Sequence, residues 1–122
     1  MEIKESAENY LETILVLSNK NGSVRSIDIA NEMNFTKASI SVAMKRLREN
    51  EYISVDTDGS ITLTEKGKKI AEMVYERHQL IAKLLIALGV DEETAYKDSC
   101  KIEHDLSQES FEKIKEYYEK HL

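Results

Sequence analysis

Apolar residues recur along this chain at two different periods, and the change of period divides it. Tyr10, Leu11, Ile14, Leu15 and Leu17 fall at helical spacing within residues 6–19 and predict an amphipathic helix. After Gly22, the positions Ile27, Ile29, Ala30 and Met33 predict a short second helix starting near Ser26. Asn34-Phe35-Thr36 reads as a tight connector. The Thr36 hydroxyl is placed to accept a backbone N–H two or three residues on, as an N-cap does. A third helix then runs to about Asn50, with Ile40, Ala43, Met44 and Leu47 on one face.

At Tyr52 the period falls to two. Tyr52-Ile53-Ser54-Val55 and Ser60-Ile61-Thr62-Leu63 are alternating, β-branched segments joined by Asp56-Thr57-Asp58-Gly59. They predict a hairpin in which Asp58-Gly59 supplies the positive-φ turn. Two strands alone are marginal, so this ribbon must lean on helices. Helical spacing then returns. Thr64 caps a long helix over roughly residues 65–88, ended by Gly89. Asp91-Glu92-Glu93 suit the N-terminus of a further helix reaching about Asp105. Ser107 caps a last one carrying Phe111, Ile114, Tyr117 and Tyr118.

The order is three helices, a hairpin and three helices, so the fold is mainly α. A winged helix-turn-helix over residues 1–70 precedes an all-helical unit over residues 71–122. No loop is long enough for a disordered tether, so the fourth helix is expected to join the two parts rigidly. Composition agrees, since the chain has no proline and only four glycines in 122 residues.

No apolar run approaches the roughly 18 residues of a membrane span. The start, MEIKESAENY, lacks the regions of a signal peptide, and one cysteine excludes an internal disulfide framework. A soluble, cytoplasmic protein is expected. The net charge of −6, from 17 basic and 23 acidic residues, argues against indiscriminate binding to nucleic acid.

That balance is unevenly distributed. Residues 1–77 hold 11 basic and 13 acidic groups, and residues 78–122 hold 6 and 10. Lys37, Lys45, Arg46 and Arg48 stand on the third helix with no acid among them. Thr36, Lys37, Ala38, Ser39, Ser41 and Val42 occupy its start. Short polar side chains there can approach base edges or phosphates, Ala38 and Val42 suit thymine methyls, and the cations suit phosphates. Charge alone favours a solvated face. The hairpin that follows directly turns the reading towards DNA, although some such domains serve protein contacts.

A second constellation has metal-ligand chemistry. Cys100, Glu103 and His104 stand at i, i+3 and i+4 and share one helix face. The first helix offers Asn9 and Glu12, and the fourth offers His78. Taken singly, each has an ordinary reading: a packed cysteine, an exposed Glu–His pair, a core histidine. Imidazole and carboxylate suit first-row divalent ions, and a thiolate shifts preference towards Fe(II), Co(II), Ni(II) or Zn(II). The donor set alone does not name the metal. A metal-dependent hydrolase is disfavoured, since there is neither a helical HExxH nor a nucleophile with its base.

Glu8-Asn9-Tyr10-Leu11-Glu12-Thr13-Ile14, Asp28-Ile29-Ala30, Ser39-Ile40-Ser41, Lys45-Arg46-Leu47, Leu63-Thr64-Glu65-Lys66-Gly67-Lys68, Arg77-His78, Leu88-Gly89-Val90 and, most specifically, Cys100-Lys101-Ile102-Glu103-His104-Asp105-Leu106-Ser107 form a pattern over nearly the whole chain. In these residues the chain resembles the diphtheria toxin repressor and manganese transport regulator family of metal-dependent transcriptional repressors, which are not enzymes. The resemblance implies a homodimer that binds double-stranded operator DNA when Mn(II) or Fe(II) is present. It also implies a metal held between the first helix, the fourth and the one bearing Glu103-His104.

His78, Glu103 and His104 fall on ligand positions of both branches of the family. Glu12 matches the manganese branch, and Cys100 matches the iron branch. Asn9 stands where those branches have Asp and Met, respectively. Ala82 and Tyr96 replace a Glu and a His of the iron branch's second site. Glu12 and Glu103 are expected to repel until a cation ties the first helix to the dimer half. Leu84, Leu85, Leu88, Phe111, Ile114 and Tyr118 are the candidate dimer contacts, because the 45 residues after Arg77 make only a small core by themselves. The other functional class left open is a winged-helix regulator without metal, which senses a small molecule or only dimerises.

Overall fold

The computed structural model describes residues 5–121. The start of the N-terminal stretch that was read for targeting signals, residues 1–4, lies outside them. Eight elements run in the order α1 (Glu5–Asn21), α2 (Ser26–Met33), α3 (Lys37–Glu49), β1 (Ile53–Val55), β2 (Ile61–Leu63), α4 (Glu65–Ala87), α5 (Glu92–Asp105) and α6 (Gln108–His121). Two compact units divide within α4, the first over residues 1–73 and the second over 74–122. None of these helices is long and apolar enough to cross a membrane.

In the first unit, the helical and alternating positions converge on one core. Leu11, Ile14 and Leu17 of α1, Val24, Ile29 of α2, and Ile40, Met44 and Leu47 of α3 are all buried there. Each fully buried aliphatic side chain contributes about 1.5–3 kcal/mol relative to exposure. The α2–α3 turn closes through Asn34, at φ 58°, and the Phe35 N–H donates to the Ala30 carbonyl at 3.0 Å. Thr36 is extended (φ −74°, ψ 153°), and its hydroxyl oxygen accepts the Ser39 N–H at 3.2 Å, capping α3. At the start of α2 the Asp28 carboxylate takes the Arg25 N–H at 2.9 Å, a cap that the hydrophobic pattern alone does not reveal.

The hairpin is antiparallel, with Ile53 opposite Leu63, Ser54 opposite Thr62, and Val55 opposite Ile61. Ile53 and Ile61 are buried, and the Ile61 N–H donates to the Val24 carbonyl at 2.7 Å. This contact and the core beneath the ribbon supply the support that two strands need. Both strands are one residue shorter at their starts than the alternation predicts. Tyr52 is taken by the turn that ends α3, where its N–H reaches the Leu47 carbonyl at 2.9 Å. Ser60 is taken by Asp58, whose carboxylate accepts both its N–H and its hydroxyl. These bonds, with Arg25 at 3.7 Å, hold the Asp58 carboxyl below the usual carboxylate range. Gly59 supplies the positive φ, at 87°.

Thr64 ties the ribbon to α4. Its hydroxyl donates to the Glu51 carbonyl at 2.7 Å and accepts the Gly67 N–H at 3.1 Å. Lys66 lies over the Tyr52 ring at 4.3 Å.

In the second unit, Val74, Ile81 and Ala82 of α4, Ala95 of α5 and Phe111 of α6 are buried. Gly89, at φ 104°, follows the end of α4. Asp91 caps α5 through the Thr94 N–H at 3.4 Å. Ser107 caps α6 through the Ser110 N–H at 3.1 Å.

Candidate metal centre and nucleic-acid interface

The residues predicted to meet DNA share one exposed surface. Ile40, Met44 and Leu47 turn the apolar side of α3 into the core. Thr36, Lys37, Ala38, Ser39, Ser41, Val42, Lys45 and Arg46 are thereby left exposed, with Val42 at 54%. The first turn of α3 contains no acid to oppose a phosphate. Thr57 is exposed at the ribbon turn.

On α5, burial of Ala95 and Ser99 orients the helix so that Glu103, one turn further, is also buried, at 2% exposure. Cys100 and His104 flank it; Cys100 is half-buried, and the His104 side chain is 3% exposed. Ligand atoms of Cys100, Glu103 and His104 all lie within 4.8 Å of one another, and His104 Nε2 is 3.5 Å from Glu103 Oε1. Burying a carboxylate is costly unless a cation or several hydrogen bonds compensate it. A thiolate, a carboxylate and an imidazole converging at this distance form a donor set for a first-row divalent ion. The i, i+3, i+4 spacing thus does what helical geometry requires.

His78 lies on α4 of the same unit and is half-buried. Its Nε2 is 3.1 Å from the Tyr96 carbonyl oxygen, and the two rings meet edge to face at 5.9 Å. A ring N–H donated to a carbonyl fixes the tautomer and plane of an imidazole, as is usual around metal-binding histidines. Tyr96, noted in the sequence only as a missing ligand, therefore orients a ligand candidate through its backbone. Its hydroxyl reaches Gln79 Oε1 at 3.4 Å. Ala82 is fully buried and brings no donor.

Asn9 and Glu12 stand one turn apart on α1, in the first unit. Asn9 is half-buried, and Glu12 is 9% exposed. The Asn9 carbonyl accepts the Thr13 hydroxyl at 2.8 Å.

Among the candidate dimer contacts, Leu88 is 73% exposed, whereas Leu84, Leu85, Ile114 and Tyr118 are half-buried. Phe111 is 4% exposed within its own unit. The sequence pattern includes Arg77 without giving it a role, and it gives Glu76 none. Glu76 pairs with Lys115 of α6 at 2.6 Å, a contact that raises the lysine's pKa. Arg77 Nη2 donates to the Leu106 carbonyl at 2.5 Å. Both contacts join residues about 30 or more positions apart, so local patterns carry no sign of them.

Comparison with known proteins shows the family. Residues 2–61 match the model of the iron-dependent repressor N-terminal DNA-binding domain, and residues 64–121 match that of the iron-dependent repressor metal-binding and dimerisation domain. An uncharacterised HTH-type transcriptional regulator of Methanocaldococcus jannaschii is 34% identical over 120 residues, covering 97% of this chain and 96% of the relative. The HTH-type transcriptional regulator MntR of Bacillus velezensis is 37% identical over 109 residues, covering 89% of this chain and 77% of the relative. A solved structure of a manganese-dependent transcriptional repressor in complex with manganese has the same fold, with a TM-score of 0.84 at 22% identity. That match covers 92% of this chain and 52% of the other. The chain belongs to the diphtheria toxin repressor and manganese transport regulator family of metal-dependent, DNA-binding transcriptional repressors.

Proposed function

We propose that this protein is a cytoplasmic repressor that binds operator DNA as a homodimer when Mn(II) or Fe(II) is bound, and so controls metal-ion homeostasis. The observation that carries the reading is the convergence of Cys100, Glu103 and His104 within 4.8 Å on a helix that also buries the carboxylate. His78 joins them as a ligand, held in plane by the Tyr96 carbonyl. Asn9 and Glu12 of α1 complete the set. The metal supplies positive charge that offsets the carboxylates of Glu12 and Glu103.

The protein's own residues do the rest. Lys37, Lys45 and Arg46 neutralise phosphates, while Thr36, Ala38, Ser39, Ser41 and Val42 face the base edges. Leu84, Leu85, Leu88, Ile114 and Tyr118 serve the dimer, which sets two copies of α3 at a spacing suited to successive major grooves, whereas Phe111 is already buried inside its own subunit. Metal favours the DNA-competent state by its differential affinity for that state.

The test is equilibrium binding of Mn(II), Fe(II) and Co(II), the iron under anaerobic conditions, followed by a mobility-shift assay with each ion. DNA affinity is expected to rise with bound metal. An affinity indifferent to every divalent ion would leave the metal-free winged-helix regulator as the correct reading. Arg46→Ala is expected to lower the salt-dependence slope of operator binding by about 1, as loss of one phosphate contact does. An unchanged slope would remove that contact.

A further inference from the structure

Three consecutive residues of α4 each reach a different part of the second unit. Glu76 accepts from Lys115 of α6 at 2.6 Å. His78 meets the Tyr96 carbonyl of α5 at 3.1 Å. Between them, Arg77 reaches two carbonyls and an aromatic ring. Its Nη2 donates to the Leu106 carbonyl at 2.5 Å and to the Ser107 carbonyl at 3.4 Å. Its guanidinium lies 5.2 Å from the centre of the Phe111 ring, within cation–π range.

Leu106 is the residue that ends α5. Its backbone is extended (φ −84°, ψ 136°), and it stands two positions after His104. The last turn of a helix has carbonyls without partners inside the helix and frays unless something holds it. Here Glu103 and His104 lie in that last turn, so the holding falls on the residues that bring metal chemistry. Phe111 is in the first turn of α6 and is 4% exposed. One cation thus joins α4, the end of α5 and the start of α6, through charge-assisted hydrogen bonds and a ring face.

We infer that Arg77 is a positioning residue for the metal ligands. By pinning Leu106, Ser107 and Phe111 it holds the Cys100–Glu103–His104 face of α5 in register with His78, its neighbour on α4. The inference rests on the metal-binding reading given above. Arginine suits the task because its Nη2 serves both carbonyls while the central carbon of its guanidinium stays within cation–π range of the Phe111 ring. A lysine ammonium is a compact, strongly hydrated point charge without the guanidinium plane, and it holds carbonyls and ring together less well.

The test uses the full chain, Co(II) chloride as the probe, and circular dichroism to check the helices. Wild type is expected to bind Co(II) with visible d–d bands and a thiolate charge-transfer band from Cys100. Arg77→Lys, still helical, is expected to bind Co(II) about 10–100-fold more weakly, the range for losing an outer partner of a metal site, with altered d–d bands. Lys115→Met, which breaks only the exposed neighbouring link, is expected to leave affinity and spectrum unchanged.

If Arg77→Lys lowers the unfolding midpoint alone, with affinity and bands as in wild type, the positioning role is wrong. Equal weakening by Lys115→Met is also against it, since any loosening of α4 would then suffice. Phe111→Leu keeps the core apolar and removes the ring under the guanidinium. It is expected to weaken Co(II) binding in the same direction by a smaller factor, and it decides the matter if Arg77→Lys does not fold. An unchanged affinity in that variant overturns the role. A wild type that binds no Co(II) overturns the metal reading itself, and is distinct from a wild type that binds normally while Arg77→Lys does too.

Discussion

Replacing Glu103 and His104 together by alanine is expected to lower metal affinity by about 100-fold or more and to abolish the metal dependence of operator binding. Loss of an outer partner alone costs about 10–100-fold, and these two residues stand among the proposed donors themselves. The metal-free fold is expected to persist. Alanine is the best helix former, so both substitutions keep α5 helical. Calorimetric metal titration and mobility shifts, each with and without Mn(II), read both effects. A double variant that responds to metal like wild type would remove α5 from the site.

Gly67→Ala is expected to destabilise the first unit by at least about 2 kcal/mol, in the upper part of the range for overpacking. In an ordinary helix the same change would stabilise by about 0.5–1 kcal/mol, so the sign of the result is itself informative. Gly67 lies in the first turn of α4, directly against the backbone of Tyr52. A Cβ there would sit 2.0 Å from the Tyr52 carbonyl oxygen and 3.0 Å from its carbonyl carbon. The obstacle is backbone, which cannot rotate away as a side-chain tip can. Relief requires α4 to back off from the segment that closes α3, which disturbs the bonds of Thr64 to Glu51 and Gly67. Operator affinity is expected to fall as well, because that segment sets α3 against the ribbon. Urea unfolding measures the first effect, and a variant more stable than wild type would show that the close approach is not kept in solution.

These two sites differ in how far the sequence exposes them. Cys100, Glu103 and His104 are visible at once, because i, i+3 and i+4 share a face on any α-helix and Asp91 marks where this helix starts. Thr36 and Asp58-Gly59 are equally visible, since a cap and a positive-φ turn are decided within four residues. Gly67 is different. Its φ is not among the positive values, so the local conformation gives no reason for glycine. The reason is Tyr52, which lies 15 positions earlier.

Helix boundaries, the hairpin and the composition of the two units follow from the sequence itself, because hydrophobic period and capping act between near neighbours. The chain also displays its donor types and the acid-free basic run of α3 without any structure. Tertiary packing decided what no period can encode. Glu103 became a buried carboxylate because Ala95 and Ser99 face inward with it. Tyr52 and Ser60 left their strands because Leu47 and Asp58 claimed their N–H groups. Arg77 became a three-way link because Leu106, Ser107 and Phe111, about 30 residues away, came within its reach. Contacts of that separation depend on how helices pack rather than on how each one forms, and only the folded chain contains them.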